Sequence, residues 1–350
     1  MSSAPPAQAV ATDKPSHLSV IVDLSPSQWH LSSQPPPANT FPLTLNSFLS
    51  QLLAFLNSHI ASKHENTLAV FGAFPGKSLM LYASTESETI NPSAVDANSY
   101  PPFKMLDSTI IKRIENELDQ LDTDEESTLP VALVGALTKA LCYINRISHF
   151  SAANVSKAKL PDSLTTSDPH ILILSVSPDL SAEYIPIMNS IFSAQKLKVT
   201  IDVCKIYGPE TVFLQQAAHL TGGSYISLER RDALLQYLTM AFLSPPSIRK
   251  ALSVPTQDKI DFRAACFCHK KIIDIGFVCS VCLSIFCQPV PVCSTCRTKF
   301  PIKILQRLNA SRPPPTPGSN GLSRTTSMSG TGGLPHSGSI RTSTSNGTLR

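Results

Sequence analysis

HLSVIVDLSPSQW, residues 17–29, is the stretch from which the fold is read. Leu18 to Leu24 is a short, β-branched apolar run bounded by polar residues, the pattern of a strand buried on both faces. It runs into Asp23-x-Ser25-x-Ser27, three oxygen-bearing side chains at alternate positions. Downstream, Leu45 to Ile60 places apolar residues at helical spacing. Thr67–Phe74 and Ser78–Ala83 read as strands joined by the tight turn Pro75-Gly76-Lys77. A polar, proline-containing loop is expected over 84–104, and helices over Ser108–Leu121 and Leu129–Ile147. A further loop covers 151–169, and HILILSV, His170–Val176, is the clearest central strand. Helix Glu183–Gln195, strand Lys198–Ile206, helix Thr211–Leu220, the turn Thr221-Gly222-Gly223, strand Ser224–Leu228 and helix Asp232–Phe242 follow. Pro245-Pro246 closes the series.

Strands that alternate with helices make the helices crossovers. The predicted fold is therefore α/β, a doubly wound, mostly parallel sheet with helices on both faces. The 67–83 hairpin adds one antiparallel edge strand. In such sheets ligands gather at the carboxyl ends of the strands, and Asp23, Ser25 and Ser27 lie just past the first one.

Seven of the nine cysteines fall between positions 266 and 296. Cys279/Cys282 and Cys293/Cys296 are two C-x-x-C pairs separated by ten residues. A two-residue gap lets both sulfurs of a turn face one centre, and two such turns supply a tetrahedron of thiolates suited to zinc. Cys266, Cys268 and Cys287, with His269, could form a second site interleaved with the first, or remain thiols beside one zinc. All-cysteine ligation leaves no open position for water, so the zinc is expected to be structural. The segment is also too short to bury a self-sufficient core, so metal would supply folding free energy.

With 350 residues, the chain divides as a leader over 1–16, an α/β domain over 17–245, a linker over 246–264, a cysteine-rich module over 265–303 and a basic Ser/Thr/Gly/Pro-rich tail over 304–350. Apolar residues make up 42%, enough for a core, and the net charge of +4 is too small to argue for nucleic acid. No apolar run reaches the roughly 20 residues of a membrane span, and the first residues do not read as a secretory signal. Unpaired cysteines then place the chain in a reducing compartment, cytosol or nucleus. No phosphate-binding glycine loop and no G-x-S-x-G elbow occurs. Asp122, Asp124, Glu125 and Glu126 read as a solvated charge run, and Cys142 and Cys204 as core residues.

D-x-S-x-S after the first strand, together with Thr221-Gly222-Gly223 before the last, resembles the metal-ion-dependent adhesion pattern of von Willebrand A domains. The resemblance implies a divalent-ion site built on Asp23, Ser25 and Ser27, with Ser127 or Thr128 as the loop ligand. It departs from that pattern after the central strand, where Ser175 or Val176 stands in place of an aspartate and Asp179 follows too late to substitute. The cysteine segment, with SVIVDLSPSQW and ALTKALCYINRI, closely resembles the small von Willebrand A/zinc-finger subunits of TFIIH. That resemblance spans about 17–303. It implies a non-catalytic, nuclear subunit of the TFIIH core, acting in RNA polymerase II initiation and nucleotide excision repair. It further implies a partner that is a second von Willebrand A/zinc subunit, through which the helicase core is reached, and a C4 zinc finger on Cys279, Cys282, Cys293 and Cys296. Two other classes compete. A RING-like ubiquitin ligase would use the eight-ligand cross-brace. A nucleic-acid binder would need more than the few basic residues Lys270, Lys271, Arg297, Lys299 and Lys303, and direct DNA binding has no further support.

Overall fold

The computed structural model describes residues 15–37, 39–85, 100–120, 129–158, 168–180, 183–249, 252, 260, 262–269, 271–282, 284–301, 303 and 306–307. Residues 1–14 of the expected leader, just over half of the 246–264 linker and all of the tail but 306–307 lie outside these residues, as do Ser127, Thr128 and the acidic run.

Six strands form one sheet in the order β3-β2-β1-β4-β5-β6. They are β1 (Ser16–Asp23), β2 (Thr67–Phe74), β3 (Lys77–Ala83), β4 (Asp168–Ser175), β5 (Thr200–Lys205) and β6 (Tyr225–Ser227). All pairings are parallel except β2 with β3, the hairpin expected from Pro75-Gly76-Lys77. Burial explains the unbroken apolar runs. Leu18, Val20 and Val22 of β1 pack with Phe48, Leu52, Ile110 and Phe242 on one face, while Ile21 packs with Phe71, Leu137, Ile191 and Ala217 on the other. Period-two alternation inside a sheet covered on both sides gives two apolar faces rather than one. This is the doubly wound, von Willebrand A-like architecture the sequence predicts.

The helices are α1 (Pro26–Ser33), α2 (Leu45–Ser62), α3 (Pro101–Asp119), α4 (Leu133–Ala158), α5 (Tyr184–Leu197), α6 (Val212–Thr221), α7 (Leu234–Tyr237) and α8 (Pro246–Arg249). Four features depart from the sequence reading. The first is α1, which was not foreseen. Pro26 opens it, and Trp29 anchors it by stacking on Phe48 at 4.6 Å and donating its indole N–H to the Asp23 carbonyl at 2.8 Å. Second, α3 starts at Pro101 rather than Ser108, because proline in a first turn lacks only an N–H that the helix leaves unpaired anyway. Third, α4 runs to Ala158, into the expected loop, and begins only after Val131 has bridged to Pro75. Fourth, the helix expected over Asp232–Phe242 is three pieces, a 3₁₀ turn at Arg231–Ala233, then α7, then a π-turn at Leu238–Phe242.

Because β1 connects through α2 to β2 on one side, and the chain returns through α3 and α4 to β4 on the other, strand order reverses between β1 and β4. A crevice opens at the carboxyl ends of strands flanking such a reversal. Asp23 and the loop after β4 occupy it. The outer edge of the hairpin is protected: Arg113 of α3 donates to the Met80 and Leu81 carbonyls at 3.2 and 3.0 Å, and Lys139 of α4 donates to that of Ser78. Among the described residues no helix is long and apolar enough to cross a membrane.

Candidate metal centres

The cysteine module is built from turns. β7 (Phe277–Val278) and β8 (Ile285–Phe286) make a two-residue antiparallel ladder that brings Cys279–Cys282 to its tip. The Cys279 amide donates to the Ser284 carbonyl at 2.9 Å, closing the knuckle. The second pair repeats the device, with the Cys293 amide on the Thr298 carbonyl at 2.9 Å and Arg297 in the left-handed region at φ 61°. Both knuckles thus read C-x-x-C-x-[S/T], and the final hydroxyl returns to the second sulfur. Ser284 Oγ lies 3.1 Å from Cys282 Sγ, and Thr298 Oγ1 lies 3.1 Å from Cys296 Sγ. Sequence reading missed these two hydroxyls, although the repeated spacing carried the signal.

The four sulfurs of Cys279, Cys282, Cys293 and Cys296 lie within 4.8 Å of one another. Cys279 and Cys296 are 3.7 Å apart, and Cys282 and Cys293 are 3.5 Å apart. A tetrahedral zinc with Zn–S bonds of about 2.3 Å requires sulfurs about 3.8 Å apart, so the set fits zinc. Cys266, Cys268, His269 and Cys287 form a second set within the same limit. Cys287 Sγ is 3.5 Å from Cys268 Sγ and 3.2 Å from His269 Nδ1. This set too has the thiolate and imidazole donors and the spacing of a four-coordinate site. Along the chain the two sets interleave: residues 266–269, then 279 and 282, then 287, then 293 and 296.

Without a cation, neighbouring thiols cannot all ionise. In the second set burial pushes Cys266 up, but backbone N–H groups of Lys271 and His269 outweigh it and bring it down to about 6. Burial and the Cys268 thiol push Cys287 up to about 11. In the first set the Ser284 hydroxyl leads in drawing Cys282 down to about 6.

The module is seated on the sheet domain through residues 262–265. Ala265 is buried in the α4–α6 face of the core, the Arg263 carbonyl accepts from Gln216 of α6 at 3.3 Å, and Phe262 meets His219 edge-on at 5.2 Å. Phe262 and Arg263 belong to the expected 246–264 linker, as does α8, and Ala265 is the first residue of the expected module. Arg249 of α8 forms a buried ion pair with Asp202 at 2.6 Å. Both ends of that stretch therefore pack on the sheet domain, because Pro246 can start a helix as readily as it can stop one.

At the carboxyl edge, Asp23, Ser25 and Ser27 meet as a hydrogen-bonded loop. Asp23 is fully buried. Oδ1 accepts from the Ser25 amide at 3.3 Å and the Ser177 hydroxyl at 3.0 Å, and Oδ2 accepts from the Val176 and Ser177 amides at 3.0 and 2.7 Å. Burial pushes its pKa up against these donors. Three of the four donors are backbone amides, which can only donate and so favour the charged carboxylate, whereas the Ser177 hydroxyl can donate or accept. The Ser25 and Ser27 hydroxyls pair with each other at 3.2 Å. Asp179 accepts from the Phe213 amide at 3.1 Å, at the start of α6. The sequence reading also passed over Lys205, buried at this edge, which donates to the Ser175 hydroxyl at 3.4 Å and to the Ser177 carbonyl.

Fold and site together define a von Willebrand A-like domain that carries a small module with two interleaved metal-ligand sets. The family model "Transcription factor Tfb4" matches residues 15–297, and the chain belongs to that family. It is 39% identical over 301 residues to the Schizosaccharomyces pombe general transcription and DNA repair factor IIH subunit tfb4, covering 85% of this chain and 93% of that protein. It is 36% identical over 281 residues to general transcription factor IIH subunit 3 of Dictyostelium discoideum, covering 77% and 72%. The solved N-terminal domain of TFIIH p34 aligns with a TM-score of 0.53 and 27% identity, covering 66% of this chain and 99% of that one.

Proposed function

We propose that this chain is a non-catalytic structural subunit of the TFIIH core, working in the nucleus in RNA polymerase II initiation and nucleotide excision repair. The observation that carries the reading is the family match over residues 15–297, which takes in the sheet domain and every cysteine of the two sets. In this reading the sheet domain docks a second von Willebrand A/zinc subunit and reaches the helicase core through it. Two zinc ions hold the module, one on Cys279, Cys282, Cys293 and Cys296, the other on Cys266, Cys268, His269 and Cys287. Each set supplies all four ligands from protein, which leaves no position for a reacting water and makes both ions structural. The test is co-purification of the tagged full chain with the second subunit. Retention of the partner supports the reading, and a monodisperse chain without affinity for that subunit contradicts it.

One observation favours a second reading. The two sets interleave and supply eight ligands in all, the number that the cross-brace of a RING-like ubiquitin ligase needs. Reproducible, zinc-dependent autoubiquitination with any of a panel of E2 enzymes would replace the structural reading with this one.

A further inference from the structure

The carboxyl edge between β1 and β4 gathers negative charge. Asp23 is fully buried and held by four donors, and Asp179 sits at the first amides of α6. The Glu183 carboxyl beside them is pushed up to about 7, first by burial and then by the charges of Asp23 and Asp179. Carboxylates brought together out of water require a compensating cation. The one that faces them here is part of the chain. Lys205, the last residue of β5, is only 1% exposed. Its ammonium bonds the Ser175 hydroxyl and the Ser177 carbonyl, in the same loop whose amides and hydroxyl hold Asp23. Burial draws Lys205 down to about 8 while Asp23 and Asp179 pull it back up, so the ammonium is charged at pH 7.

We propose that the Lys205 ammonium is the resident cation of this edge, standing where a divalent ion would otherwise be required. Two consequences follow from the contacts. The edge is closed from inside, since the carboxylate and its cation are both buried and neither can reach a partner. Docking at this end of the sheet is therefore independent of magnesium, calcium or manganese. Removing the side chain would also leave the Ser177 carbonyl and the Ser175 hydroxyl facing vacated space, in the loop that holds the Asp23 carboxylate, an oxygen-rich neighbourhood that hard divalent ions favour. This inference does not depend on the zinc reading or on the identity of the partner.

The test uses the zinc-replete full chain and Mn²⁺ as probe, read by the electron paramagnetic resonance signal of the free ion and by the melting midpoint. Wild type is expected to leave the signal and the midpoint unchanged. Lys205→Ala is expected to deplete free Mn²⁺ and to gain stability as Mn²⁺ is added, and Lys205→Ala combined with Asp23→Asn to do neither. Uptake of Mn²⁺ by wild type that Asp23→Asn abolishes would overturn the proposal, as would a folded Lys205→Ala that ignores the ion. Should Lys205→Ala not fold, ¹⁵N spectra of wild type decide. A slowly exchanging ammonium resonance at pH 7, assigned to Lys205 by selective labelling, supports the proposal, and a neutral amine at that position ends it.

Discussion

At the scale of single residues, neighbouring glycines separate two kinds of requirement. Gly222 ends α6 in the left-handed region at φ 75°, with nothing within 4 Å of where a Cβ would stand. Gly223 has no such backbone demand, but a Cβ there would lie 2.0 Å from the Ile201 carbonyl oxygen. Gly222→Ala should therefore lose about 1 kcal/mol, the strain of a left-handed alanine. Gly223→Ala should lose more than about 3 kcal/mol, because backbone must move in a packed sheet. Urea denaturation of the two variants checks the order, and equal losses would refute it. The Thr221-Gly222-Gly223 turn was legible as a turn, but which glycine is irreplaceable was not. That depends on β5 passing beside the turn, a contact 22 residues away in sequence. Lys205 was opaque for the same reason. Inside KVTIDVCKI a lysine at a strand end reads as solvated, and only the neighbouring loop after β4 shows that it is buried.

At the scale of elements, the two cysteine knuckles are one device used twice. Ser284 and Thr298 each fasten the sulfur they follow, the outer-shell contact that orients a ligand and tunes its basicity. Ser284→Ala and Thr298→Ala should each lower zinc affinity by about 10- to 100-fold while leaving the fold of the sheet domain intact. Competition with a chromophoric chelator measures this, and unchanged affinity in both variants would remove the role assigned to the hydroxyls. The C-x-x-C pairs themselves were plain in sequence, since local spacing dictates their geometry. The grouping of Cys287 with Cys266, Cys268 and His269 was an open alternative, because it depends on β7 and β8 folding one part of the module back on another. Helix extents were least legible where prolines stand. Pro101 starts α3 and Pro246 starts α8, and a proline that opens a helix cannot be told from one that blocks it without the flanking packing.

Across the whole molecule, the amino edge of the sheet opposes the carboxyl edge in chemistry as well as position. His17, His59 and His170 are all buried there. His17 bonds Thr67 and Ser19 at 2.8 and 3.0 Å, while His59 and His170 each leave Nε2 without a partner among the described residues. Burial draws His17 and His59 down to about 4, and His170 well below its ordinary value. The folded state therefore keeps these rings neutral, whereas the unfolded chain takes up protons below about pH 6.5. Stability from this group is fully present above pH 6.5 and is lost as pH falls toward 4, by up to about 1.4 kcal/mol per pH unit for each ring. The urea midpoint should fall steadily through that window, and His59→Gln should flatten the slope. A midpoint independent of pH between 6.5 and 4 would show that the rings titrate alike in both states. The alternation of strands and helices, and hence the doubly wound sheet, was legible from sequence because both faces of the sheet are buried and the runs are long. The seating of the cysteine module on α6 was not, since Phe262, Arg263 and Ala265 carry no pattern that marks them as a contact.

The most direct measurement is zinc content with X-ray absorption on the purified full chain. Two interleaved structural sites predict about two zinc ions per chain, with an average environment of seven sulfurs and one nitrogen shared between them. One zinc per chain, surrounded by sulfur alone, would contradict the account and leave Cys266, Cys268, His269 and Cys287 as groups that meet without a metal.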